Sequence, residues 1–298
     1  MSILPRWLKT IAKRSKTLVN LNASLRWKFH VLTDWWGTKV WTKTKEVVTP
    51  LGFKLTSGLH PAYELMRCGT FEIEETAIIS KLLPQVDVFV DIGANLGYYT
   101  CLALQTGKPV IAFEPQQQNL QCLFQNLTAN GWEDRAEVFP LALSDRPGLL
   151  TLYGASGPSA SLIKDWAGYS SRFKKTVPVS TLDNVLAGRL TGKQLFIKMD
   201  VEGAEFHVLK GALATLCLTP KPIWLLEICL EEFHPEGRNP DFQEIFKLFW
   251  DNGYLAFTAT GNPKLVSHSE VANWVDKGHA DSGTFNYVFA DSEEVLRG

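Results

Sequence analysis

Five cysteines in 298 residues are too few and too scattered for a disulfide framework. Cys68, Cys101, Cys122, Cys217 and Cys229 form no C-x-x-C pair, and they sit in apolar segments as reduced, buried thiols would. That pattern speaks against a structural zinc site and for a reducing, cytoplasmic setting. No apolar run approaches the ~20 residues that a membrane-spanning helix needs. Internal repeats and low-complexity tracts are missing too. Acids are scarce at the front, where none precedes Asp34. Residues 1–54 hold 11 Lys or Arg against two acids, a net of +9, whereas the remainder carries −10. The front segment therefore meets different partners from the body.

Within that basic front, Leu4, Trp7, Leu8, Ile11 and Leu18 recur at helical spacing, with Lys9, Lys13, Arg14 and Lys16 on the other side. Residues 1–20 thus read as a basic amphipathic helix. It could lie peripherally on an anionic membrane surface, or pack its apolar stripe on the chain itself or on a second subunit. An organelle transit peptide is a third reading, weakened by few serines and arginines. Leu25, Trp27, Phe29 and Val31 alternate with basic residues as one face of a strand would. No nucleic-acid-binding motif accompanies the charge, so nucleic acid is not an expected partner. A Gly- and Pro-punctuated linker, Leu51 to Met66, leads into the body, which sets an extension at 1–54 apart from a domain at 55–298.

In the body, near-continuous apolar runs alternate with helix-compatible stretches. The runs lie at 86–91, 109–113, 136–142, 195–199, 223–228, 254–258 and 285–290. Seven such strands predict an α/β fold with a doubly wound, mostly parallel sheet covered on both faces, with one antiparallel member at a late edge. The helices expected are 72–83, 117–130, 205–216 and 242–251. Ligands of such sheets sit beyond the carboxyl ends of the strands. Asp91, Glu114, Asp145, Asp200 and Glu227 all stand at such ends.

The first of these ends is the most informative. Residues 88–100 read V-F-V-D-I-G-A-N-L-G-Y-Y-T: strand, glycine turn, helix. Gly93 permits the reversal, and Gly97 permits close approach of backbone to a ligand. Glu114 follows about 20 residues beyond the turn, where an acid can accept from both ribose hydroxyls of an adenine nucleoside. A glycine turn is shared by NAD, FAD and other nucleotide sites, so the pattern alone leaves the cofactor open.

Three segments in this order, V-D-I-G-A-N-L-G-Y-Y-T, F-E-P and I-K-M-D-V-E-G-A-E, closely resemble the FkbM family of S-adenosylmethionine (SAM) dependent methyltransferases. The likeness extends over most of the chain from Tyr63 to Phe289, including A-L-S-D at 142–145 and V-P-V-S-T-L-D at 177–183. It implies a class I, Rossmann-like methyltransferase that O-methylates a hydroxyl of a sugar, glycan or natural product. On that basis Asp91, Gly93, Asn95, Gly97, Glu114 and Asp145 are candidates to hold SAM. Asp200, Glu202, Glu227 and His234 are candidates for catalysis, with His234 as general base. Lys198 shares a strand face with Asp200, and the pair reads either as catalytic or as structural neutralisation. Glu202 and Glu205 flank Gly203 at a helix start, where any acid would also serve as a cap. His207, His268 and His279 have no placed role. A divalent metal is compatible with so many acids, but nothing in the spacing demands one and none is predicted. The Gly- and Ser-rich stretch 154–161 is long and polar enough for an active-site loop. Two rivals stay open: a dinucleotide-dependent oxidoreductase, and a non-catalytic module that binds membrane or nucleic acid through the basic front.

Overall fold

The computed structural model describes residues 46–56, 62–154, 159–168 and 171–297. The amphipathic helix and alternating strand expected within 1–31 lie outside the described residues. The strands are β1 (Glu46–Val48), β2 (Lys54–Thr56), β3 (Val88–Ile92), β4 (Val110–Phe113), β5 (Ala136–Phe139), β6 (Ala142–Leu143) and β7 (Gly148–Tyr153). Then come β8 (Lys174–Ser180), β9 (Leu195–Met199), β10 (Ile223–Glu227), β11 (Leu255–Thr258), β12 (Leu265–Val266) and β13 (Asn286–Ala290). The helices are α1 (Tyr63–Cys68), α2 (Ile73–Leu82), α3 (Tyr98–Gln105), α4 (Gln117–Asn130), α5 (Leu182–Leu186), α6 (Glu205–Lys210), α7 (Leu213–Leu216), α8 (Phe242–Asp251) and α9 (His268–Lys277).

One sheet organises the chain, in the order β12-β11-β13-β10-β9-β3-β4-β5. From β10 to β5 its neighbours are parallel. Every residue of β3, β4 and β9 is buried, as a strand covered on both faces requires. Alternate residues supply two cores. Val88, Val90, Ile92, Leu195, Ile197 and Met199 face one, while Phe89 and Phe196 join the other with Leu102 and Leu123 of α3 and α4. Chain order reverses at β3, where β4 lies on one side and β9 on the other. That is the switch point at which a doubly wound sheet opens a crevice.

The seven expected strands are present, with two-residue β12 added at one edge. The antiparallel member differs from expectation in place. β13 is inserted between β10 and β11 and runs antiparallel to both. The run expected at 136–142 is split, and β6 leaves to form a separate three-stranded sheet with β8 and β7. The helix expected at 205–216 is broken at Gly211. A Cβ there would lie 2.2 Å from the Ser144 carbonyl oxygen, so the two segments pack too closely for a side chain. The polar connection around His268 is helix α9, started by a capping box of Ser267 and Glu270.

The hairpin β1–β2 runs across position 54, with Phe53 and Leu55 fully buried in the core of α3 and α4. Its attachment is specific. Asn126 Oδ1 accepts from the Thr56 N–H at 2.6 Å and the Thr56 hydroxyl at 2.9 Å, and Asn126 Nδ2 donates to the Leu96 carbonyl at 2.7 Å. One buried amide therefore joins the hairpin, α4 and the glycine turn. Asn126→Leu leaves those partners unpaired and is expected to lower stability by about 2–4 kcal/mol. Urea unfolding of both forms measures this, and a loss below 1 kcal/mol would remove Asn126 from that role.

Candidate active site

The turn between β3 and α3 is held on both sides. The N–H groups of Gly93 and Ala94 each donate to the Phe113 carbonyl at 3.0 Å. Gly93 has φ +84°, and a Cβ on it would lie 1.9 Å from the Asp200 carbonyl oxygen. Only glycine lets β3 and β9 end this close together. Asn95 is left-handed, with φ 53°, and its side-chain Oδ1 is buried without a partner. Gly97, with φ +87°, starts α3 and packs on Leu123. Asp91 lies behind the turn, where its carboxylate accepts from Thr100 Oγ1 at 2.6 Å and its other oxygen has no partner. Burial raises the Asp91 pKa, against the opposing pull of Lys198 and the Thr100 hydrogen bond.

Glu114 follows β4 and is buried. Its two oxygens accept from the Asn95 N–H at 2.9 Å and the Gln116 N–H at 2.7 Å. Burial pushes its pKa up to about 7, even though these N–H bonds favour the charged form. Glu114 thereby fixes the glycine turn, and with Asn119 as a third donor its carboxylate keeps lone-pair capacity for one more.

After β9 comes an acidic turn. Lys198, buried in β9, is in register with Asp91 and donates to Asp200 Oδ2 at 3.1 Å. Burial alone would lower its pKa, but Asp200, Asp91 and Glu72 outweigh that and hold it raised. Its ammonium also lies 5.1 Å from the Tyr99 ring centroid, and Tyr99 donates to Glu72 at 2.6 Å. Glu202 has φ 56°, a strained value for a residue with a side chain. Burial first, then the Asp200 charge, raises Glu202 to about 8. Glu205 is buried at the start of α6, accepts from the Gly203 N–H at 3.0 Å and is raised by burial to about 7. Burial, then the charges of Asp200 and Glu202, push Glu227 well above its ordinary value.

Gly93, Asn95, Glu114, Asp200 and Glu202 line one cleft of about 620 Å³. Phe113, Leu141, Leu143, Leu152 and Leu162 supply its apolar walls. Asp91 and Gly97 support the turn from behind. Asp145 stands apart: its side chain is exposed, and the preceding segment Leu141–Leu143 lines the cleft instead. His234 packs edge-on against Trp166 at 5.6 Å, with its buried Nδ1 unpartnered and its pKa lowered by burial. His268 stacks on Trp250 at 3.7 Å, and His279 contacts Glu231 at 2.7 Å on the surface. Among the described residues, no three His, Cys, Asp or Glu side chains are grouped to hold a metal ion.

Sequence reasoning missed Trp166. Its Nε1 donates to Glu202 Oε2 at 2.7 Å, and its ring fills the space where a Gly203 Cβ would be, 2.3 Å away. Ser161 Oγ donates to the Glu202 carbonyl at 2.5 Å. The Gly/Ser character of 154–161 hinted at an active-site loop, but no spacing could pair Trp166 with a residue 36 positions away.

Glu114, Glu202 and Glu205 all hold protons to higher pH in the folded chain than their ordinary 4.5. Between that value and about 8 the folded state therefore binds more protons than the unfolded one, and stability falls as pH rises. The thermal midpoint should drop from pH 5 to pH 8.5. Glu205→Gln should flatten the drop, at about 2–4 °C per kcal/mol relieved for a domain of this size. A midpoint that climbs over this range would contradict the burial of these acids.

The hexuronic acid methyltransferase AglP of Haloferax volcanii is 31% identical over 142 residues, which is 46% of this chain and 56% of that protein. The match thus spans little more than half the relative's length. A crystal structure of methyltransferase FkbM from Methylobacillus flagellatus KT overlaps with a TM-score of 0.42 at 18% identity, covering 68% of this chain and 43% of that one. An O-methyltransferase from Bacillus cereus in complex with SAH overlaps at 0.39 with 13% identity, covering 73% and 80%. These overlaps are loose, and the fold rests on the topology above. Among the described residues no helix is long and apolar enough to cross a membrane. A model described as the methyltransferase FkbM domain matches residues 91–256, more than half the chain, from the buried Asp91 to β11. The chain belongs to the FkbM methyltransferase family.

Proposed function

We propose that this chain transfers a methyl group from SAM to a hydroxyl of a sugar, glycan or natural-product acceptor. One observation carries the reading: the tips of β3, β4 and β9 meet in a single cleft, with Gly93, Asn95, Glu114, Asp200 and Glu202 around it. The residues present fit SAM. The unpartnered Asn95 Oδ1 is an acceptor suited to its ammonium, and the remaining acceptor capacity of Glu114 suits the ribose hydroxyls, in exchange for the Asn119 side chain where both are bound. Phe113, Leu141 and Leu143 offer apolar walls for a flat base. When bound, SAM supplies an electrophilic methyl on a positively charged sulfur.

The acceptor end is the acidic turn. An alcohol loses its proton far above neutral pH, so a positioned base is needed during transfer. Glu202 lines the cleft and has a pKa near 8, close to where a general base works best. Asp200, paired with Lys198 at 3.1 Å, orients the acceptor hydroxyl. A sugar acceptor is supported by the relative that acts on hexuronic acid.

Calorimetry should show binding of S-adenosylhomocysteine and none of NAD. Glu114→Ala should weaken that binding about 10- to 100-fold, the range expected for charge-assisted hydrogen bonds to two hydroxyls. Labelled methyl transfer from SAM, screened over hydroxylated sugars and metabolites, tests the reaction. Asp200→Asn should lower kcat more than it weakens cofactor binding. Tight NAD binding, or full turnover by the Asp200 variant, would count against the reading.

A further inference from the structure

We propose that Trp166 is a positioning residue for Glu202: its indole N–H orients the Glu202 carboxylate toward the cleft and couples the acceptor-side loops to that carboxylate. The proposal rests on the methyl-transfer reading only for its effect on turnover; the geometry stands without it.

Trp166 is buried and touches two other segments. On one side it donates from Nε1 to Glu202 Oε2 at 2.7 Å. Its ring occupies the place of the missing Gly203 side chain. On the other side it meets Phe233 at 6.1 Å and His234 at 5.6 Å. The next residue, Ala167, donates its N–H to the Phe233 carbonyl at 2.8 Å. Ala167 and Phe233 both have positive φ, 51° and 66°. Ala167 and Phe233 are thus joined directly, and Trp166 ties them to Glu202, a third left-handed non-glycine residue. Backbone strain of this kind persists only where surrounding contacts over-determine it.

The same contact acts on the charge of Glu202. Asp200 and Glu205 face it from its own segment, and Glu227 from β10; all three disfavour its ionised form. The hydrogen bonds from Trp166 and Ser159 favour that form. Lys198 pairs with Asp200 and not with Glu202. Trp166 is therefore a main local counterweight to four crowded acids. Removing its N–H while keeping an aromatic ring should raise the Glu202 pKa.

The test follows the indole N–H signals of the full-length protein by ¹H–¹⁵N correlation spectra from pH 5 to 9.5. The signal that vanishes in Trp166→Phe should titrate in the wild type with a midpoint near 8, and it should become flat in Glu202→Gln. If that signal is flat in the wild type, or titrates unchanged in Glu202→Gln, the proposal is overturned. In turnover, Trp166→Phe should move the acidic limb of kcat/KM to higher pH, each unit costing about tenfold in the rate at pH 7. A residue that merely packs would leave the limb in place, and that result also overturns the proposal. Failure of the methyltransferase reading appears separately, as a lack of S-adenosylhomocysteine binding, and leaves the indole titration to decide.

Discussion

The contact between Gly93 and the Asp200 carbonyl is the constraint on which the site depends. β3 and β9 are parallel neighbours, and their last paired residues are Ile92 and Met199. The Asp200 N–H continues the ladder one step further, onto the Ile92 carbonyl at 3.0 Å. Both chains then turn away from the sheet in the space of one residue. Only the absence of a Cβ at Gly93 lets them do so in contact. The cofactor-type turn and the acidic turn are thereby one wall of one cleft. With a side chain at Gly93, one of the two turns would have to move, and the residues each presents would no longer converge.

Convergence of acids has an electrostatic cost. Asp91, Glu114, Glu202, Glu205 and Glu227 all have raised pKa values, with burial as the leading cause in each. Lys198 is the one buried cation among the described residues, and its position opposite Asp91 in the sheet follows from strand register rather than from side-chain reach. Buried unlike charges of this sort rarely add stability over an apolar replacement. What the arrangement provides is a cleft whose Glu114 and Glu202 carboxyl groups hold their protons to higher pH than usual, because burial disfavours the charged form.

Much of this was legible before the structure. The apolar runs gave the strands because a strand buried on both faces cannot alternate. Of the five strand-end acids, Glu114 and Asp200 line the cleft, because an α/β sheet exposes such ends together, while Asp91 lies behind the turn. Glu114 was legible by spacing, although its visible work is to hold the Asn95 and Gln116 N–H groups. Other features were not. Asp145 looked like the other strand-end acids, but β6 leaves the main sheet before it, so its side chain faces solvent. The inserted β13 depends on long-range pairing that no local pattern records. The capping box of α9 was there to be read as S-x-x-E, but the stretch was too polar to announce a helix.

The two halves of the site differ in how the chain encodes them. On the cofactor side, Asp91, Gly93, Asn95 and Gly97 fall within seven residues, and their roles follow from one turn and one strand. Short-range backbone geometry dictates such residues, so they leave a motif. On the acceptor side, Glu202 is held by Trp166 and Ser161, and Trp166 in turn by Phe233 and His234. These contacts join three loops, and each loop can vary in length and composition provided the contacts are remade. The glycine turn is held by backbone contacts, the Gly93 and Ala94 N–H groups donating to the Phe113 carbonyl. The loops are joined by the side chains of Trp166 and Ser161 and by one backbone hydrogen bond, from the Ala167 N–H to the Phe233 carbonyl. The packing around Trp166 therefore ties three loops together without leaving a local motif.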